Sequence, residues 1–206
     1  MEAHEIAEQI HEGAEPHGHA APAHDWFRRL AAIYVGVVAM LLAIAALGGA
    51  ESTKEMLNAN IQASDTFAFY QAKNIRQTLY QTSTAQLELL AAGAASLSES
   101  DKAKTAELVK RYRDTVARYE SEPATGEGKK ELMAKAKEWE HKRDHAAAQL
   151  PNFEYGEAAF QIAIVLGSVA IVAASPALLG LSGVLAVFGV LLTLNGYLLV
   201  VPLAHG

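Results

Sequence analysis

The chain has 206 residues, a formal net charge of −6 and no cysteine, and 51% of it is hydrophobic. An acidic chain with no basic patch lacks the electrostatic footprint of a nucleic-acid binder. The missing cysteine excludes disulfides and thiol nucleophiles, while it suits an oxidising or a reducing compartment equally. Charge is also segregated along the chain: none lies within residues 30–50 or after Glu157, so apolar segments bracket a polar middle.

Residues 1–29 form an acidic tail that holds His4, His11, His17, His19 and His24. Pro and Gly around His17 and His19 predict a flexible segment, where imidazole and carboxylate would capture a divalent metal only loosely. Residues 30–50 follow as a first span, because about 20 helical residues at about 1.5 Å rise cross a hydrocarbon layer about 30 Å thick. The small residues of Leu47-Gly-Gly-Ala50 look like a cleavage site. The preceding region is acidic, however, and the apolar run exceeds a signal core of about 7–15 residues, so an uncleaved anchor is expected.

Residues 51–157 are nearly charge-balanced, with 15 basic and 17 acidic side chains, and are dominated by Ala, Gln, Glu, Lys and Leu, all good helix formers. The expected architecture is all-α: an extramembrane helical coiled-coil bundle between the first and second of three transmembrane helices. The first bundle helix should continue directly out of the first span. Along it Ala68, Ala72, Ile75, Leu79, Thr82, Gln86 and Leu89 alternate spacings of four and three, a seam that needs a partner helix. Ser98-Glu-Ser-Asp101 predicts a capped second helix whose Val109, Tyr112, Val116 and Tyr119 share a face. The Pro and Gly of residues 121–128 break the chain before a third helix seamed by Leu132, Ala136, Trp139, Ala146 and Leu150, which Pro151-Asn152 should end. Two further spans then divide within the stretch Ser175-Pro176 to Ser182-Gly183, where Pro removes an amide donor and Gly permits a tight reversal. The second span is expected over 158–179, a short loop at 180–182 and the third span over 183–203.

Arg28 and Arg29 at the mouth of the first span, with no basic residue between the second and third, favour a cytoplasmic N-terminus and a periplasmic bundle. The span ending Ala46-Leu-Gly-Gly-Ala50, then Asn58-Ala-Asn60, Phe69-Tyr-Gln-Ala-Lys73 and Gln161-Ile-Ala-Ile-Val165 together resemble the bacterial membrane proteins grouped as domain-of-unknown-function family 4337, over about residues 26–203. The resemblance implies a multi-pass bacterial inner-membrane protein of this three-span plan, and it brings no known activity and no functional residues.

Few residues stand out for chemistry. His141-Lys-Arg-Asp-His145 puts two imidazoles four apart on one helical face, but Lys142 replaces the general-base Glu of a metalloprotease motif. What remains is a solvated face, or a metal half-site that would need Glu138 as third ligand. Asn195 in an apolar helix either hydrogen-bonds to a neighbouring helix or joins Gly189 and Gly196 in lining a pore or a close helix contact. Phe67, Phe69 and Tyr70 are too close in sequence to share one face, so they either pack inside the bundle or offer a patch to a partner. No ionisable residue lies in any span, which removes the usual site for proton- or charge-coupled transport. No phosphate loop or nucleophile elbow occurs either, and no cofactor is expected. These features favour a non-enzymatic membrane scaffold that contacts lipid and either its own copies or another membrane protein. The competing readings are a small homo-oligomeric channel and a metal-responsive membrane protein.

Overall fold

The computed structural model describes residues 22–93 and 98–201. The described residues form four α-helices and no strand: α1 (Pro22–Gly93), α2 (Glu99–Glu120), α3 (Lys129–Ala173) and α4 (Pro176–Leu198). Helices α1, α3 and α4 are long and apolar enough to cross a membrane. The chain divides into two compact units, one of Met1–Gly49 with Pro151–Gly206 and the other of Ala50–Leu150, and both α1 and α3 contribute to each.

Three boundaries differ from expectation. Helix α1 begins at Pro22, inside the segment expected as tail, where the fixed φ of proline suits a first helical turn. Helix α3 does not end at Pro151-Asn152 but runs on as one helix from Lys129 to Ala173, with Pro151 inside it. Proline removes one amide donor, yet Asn152 and Phe153 directly after it are almost completely buried, and that packing outweighs the local preference to stop. The break between the second and third spans lies at Ala174-Ser175, ahead of the expected loop at 180–182. Ala174 is left-handed at φ 47°, and the Ser175 amide donates to the Ala170 carbonyl at 3.1 Å, the pattern that closes a Schellman turn. Pro176 then occupies the first turn of α4, and Gly180 and Gly183 continue within the helix.

The unit of Met1–Gly49 and Pro151–Gly206 is built on small residues. The buried stripe of α4 is Ser182, Ala186, Gly189, Thr193 and Gly196, at alternating spacings of four and three. Against it pack Val38 and Ala45 of α1 and Phe160 and Ala163 of α3. With so little side chain on α4, its backbone comes close to its neighbours, the usual source of helix contact where lipid removes the hydrophobic drive. Large apolar side chains such as Ile33, Met40, Val172 and Val184 point outward, as a hydrocarbon solvent permits.

In the Ala50–Leu150 unit, α2 and the first part of α3 succeed each other along one side of α1. The stripe of α1 that faces them is Ser52, Met56, Ala59, Ala63, Thr66, Tyr70, Lys73, Gln77, Tyr80, Thr84 and Leu87, with Thr53, Phe67, Ser83 and Ala91 half-buried beside it. The stripe itself alternates spacings of four and three from Ser52 to Leu87. Val109, Tyr112, Val116 and Tyr119 of α2 face this stripe as expected, and the Tyr80 ring meets Tyr112 edge-on at 5.1 Å. Leu132, Ala136 and Ala146 of α3 are buried, with Trp139 and Leu150 half-buried. Ser98 caps α2 by accepting from the Asp101 amide at 3.2 Å. The Ala68-to-Leu89 seam read from the sequence is not the one α2 and α3 use: all seven of its residues are exposed.

Candidate interaction surface

The inner stripe of α1 is unusually polar. Thr66, Lys73, Gln77 and Thr84 are each buried to 8% exposure or less. The two threonines satisfy themselves by donating to carbonyls four residues back, Gln62 and Tyr80. Lys73 donates to the Glu127 carbonyl and lies 3.5 Å from the Glu127 carboxylate and 4.0 Å from that of Glu122, with the Phe69 and Tyr119 rings around it. Gln77 donates to the Val116 carbonyl at 3.0 Å and to Glu120 at 3.1 Å, and accepts from Lys129 at 2.7 Å. These bonds hold the Glu120 carboxyl below the usual carboxylate range, chiefly through Gln77 and then Lys129. No buried side-chain nitrogen or oxygen among the described residues lacks a partner.

The connection between α2 and α3 docks onto this layer. Gly126 takes a left-handed φ of 69°, which favours glycine. A side chain at Gly128 would land on the Glu131 carboxylate and the Glu122 amide. Glu131 accepts from the Ser121 hydroxyl at 2.7 Å and from the Glu122 amide at 3.2 Å, and the Ser121 bond is the main reason its carboxyl lies below the usual range. An open groove of about 520 Å³ runs between α1 and α2. Its ionisable groups are engaged, Arg113 with Glu88 at 2.7 Å and Glu120 as above.

The outer face of α1 has the opposite character. Leu57, Ile61, Ile75, Leu79 and Leu89 are 53–79% exposed. They lie on one stripe, which from Ala68 to Leu89, with Ala72, Thr82 and Gln86, holds no Asp, Glu, Lys or Arg; Asp65 interrupts it between Ile61 and Ala68. The inner stripe thus mixes Met, Ala and Tyr with buried polar side chains, while one outward strip of an otherwise polar exposed surface is apolar. Of the three aromatics singled out from sequence, Phe67 and Tyr70 are half-buried and Phe69 is 40% exposed. Tyr70 and Phe69 lie under Lys129 and Lys73, at 5.7 and 5.3 Å from ring centroid to ammonium, so these two serve the polar layer.

The other sequence candidates are placed as follows. His17 and His19 lie outside the described residues. His141 and His145 are exposed on α3, no cluster of three metal-ligating side chains occurs among the described residues, and Glu138 is paired with Lys142 at 2.8 Å. The Asn195 amide donates to the Asn152 side chain at 2.6 Å and to the Val201 carbonyl at 2.7 Å, and its oxygen accepts from the Val201 amide at 2.9 Å. It therefore bridges α4 to α3 and closes the C-terminal turn of α4. Gly189 seats the Phe160 ring, and Gly196 seats Phe153, which Gly48 receives from α1.

Beyond the polar layer of α1 and Glu131, sequence reasoning also missed Asn152 and Ser182. Both are fully buried, and Ser182 donates to the Ala163 carbonyl at 2.6 Å while bonding Tyr34 at 2.9 Å. Each was read as part of a helix break, which concealed its role as a polar link between helices.

No curated protein and no solved structure matches the chain. The model of one family, described as a domain of unknown function (DUF4337), matches residues 27–199, which covers all four helices almost from end to end. The chain belongs to that family.

Proposed function

We propose that the protein is a non-enzymatic, membrane-anchored scaffold whose Ala50–Leu150 unit is an antiparallel helical coiled coil that binds a partner chain. The observation that carries this reading is the apolar strip left outside on α1, with Ile75, Leu79 and Leu89 exposed while Lys73 and Gln77 are buried. A helix that spends polar side chains on its own fold and leaves an apolar stripe outside is shaped for an intermolecular contact. The unslipped four-and-three spacing of the inner stripe supports the coiled coil, and a buried Lys within such a seam is a known device for fixing register. The engaged ionisable groups of the α1–α2 groove give an acid–base mechanism nothing to work with.

The proposed setting is a bacterial inner membrane, crossed by three helices, with the N-terminus cytoplasmic and the Ala50–Leu150 unit periplasmic. Arg28 and Arg29 beside the first span support that orientation. A channel lined by Asn195 gains no comparable support, because that amide is spent on Asn152 and Val201. A photo-cross-linking side chain placed at Leu79, and separately at Ile61, tests the scaffold reading in native membranes. An adduct with any protein chain at both positions is the expected result; light-dependent adducts with lipid alone at both would overturn it.

A further inference from the structure

We propose that the outer face of α1 pairs with the same face of a second copy of this chain, parallel and in register. The inference rests on the scaffold reading above and names its partner. Leu57, Ile61, Ile75, Leu79 and Leu89 are each more than half exposed in the single chain. Ile75, Leu79 and Leu89 of two copies would take apolar surface out of water on pairing.

The second copy is favoured over a foreign chain by orientation and charge together. Two copies inserted the same way in one bilayer carry their α1 helices in the same direction, and rotational symmetry about the bilayer normal sets every residue of the face opposite itself. A Lys or Glu on such a face would meet its like. Of the charged residues of α1 between Met56 and Gly93, Lys73, Arg76 and Glu88 fall off the stripe at about 100° per residue, and Asp65 bounds it one step before Ala68, so the face from Ala68 to Leu89 carries no charge. A foreign partner would gain specificity from complementary charge, which this face does not offer. The spacing of Ala68, Ala72, Ile75, Leu79, Thr82, Gln86 and Leu89, alternately four and three, is also that of two parallel helices packing side by side.

Because the natural chain has no cysteine, single introduced thiols report without background. In oxidised membrane vesicles of the full chain, Ile75→Cys and Leu79→Cys should each give a disulfide-linked dimer. Asn74→Cys, about 100° around the helix, should do so roughly tenfold more slowly, since closure needs Cβ atoms about 3.5–4.5 Å apart. Adding Leu79→Glu to Ile75→Cys should suppress the dimer by a similar factor, and both positions are exposed, so the inner seam stays intact. Equal rates at all three positions, or no dimer at Ile75 and Leu79, would overturn the pairing. If the photo-probe at Leu79 then labels a different protein, the scaffold reading stands and self-pairing falls. If it labels no protein, both fall.

Discussion

Glu131 joins two helices through one carboxylate, accepting from the Ser121 hydroxyl at the end of α2 and from the Glu122 amide beyond it. Both bonds favour the charged form, so its folded pKa lies below the unfolded value of about 4.3. A depressed pKa contributes stability that is present above the unfolded value and is lost as pH falls through the folded one. Glu131→Gln should therefore melt below the wild type at pH 7, with the gap closing as pH drops below about 4. Circular-dichroism melts of the two proteins check this, and a gap that is constant with pH would contradict it. The residue was not legible beforehand, because its role depends on Gly128 leaving room for the carboxylate against the Glu122 amide.

Periodicity told more at the scale of elements than at their ends. The faces of α2 and the first part of α3 were readable from Val109, Tyr112, Leu132 and Ala136, whose apolar side chains mark the buried side. On α1 the same logic selected the wrong side for the intramolecular contact, since it weighs apolar residues and the inner stripe is held by Lys73, Gln77 and two threonines. Such a stripe is recognisable only once the partners of those polar groups are in place. The stretch that divides α3 from α4 was readable from Ser175-Pro176, but the turn's place at its head was not, since Ala174 occupies a left-handed position where glycine is the usual marker, while Gly180 and Gly183 sit inside α4. Helix α4 itself depends on small residues at its contact. A Cβ at Gly196 would come within 2.8 Å of the Phe153 ring. Gly196→Val should lower stability by about 1–3 kcal/mol as α4 is pushed from α3. Thermal aggregation in detergent measures the effect, and an unchanged midpoint would show that this contact is not close-packed.

For the molecule as a whole, three apolar helices were foreseeable from the runs without charge, and the family match over residues 27–199 covers the same plan. What the sequence left open was the use of the outer face of α1, because an apolar stripe on a helix normally marks its own core. In this fold the core contact is already made elsewhere, so the stripe is surplus to the single chain. The central claim is that this surplus drives assembly. Its most direct test is the protein mass, corrected for bound detergent, measured by light scattering for the wild type and for a variant carrying Ile75→Glu and Leu79→Glu. The account predicts two or more whole chain masses of 22.0 kDa for the wild type and a single 22.0 kDa for the variant. A wild type that stays at 22.0 kDa across concentration, or an oligomer that the two glutamates leave intact, would contradict it.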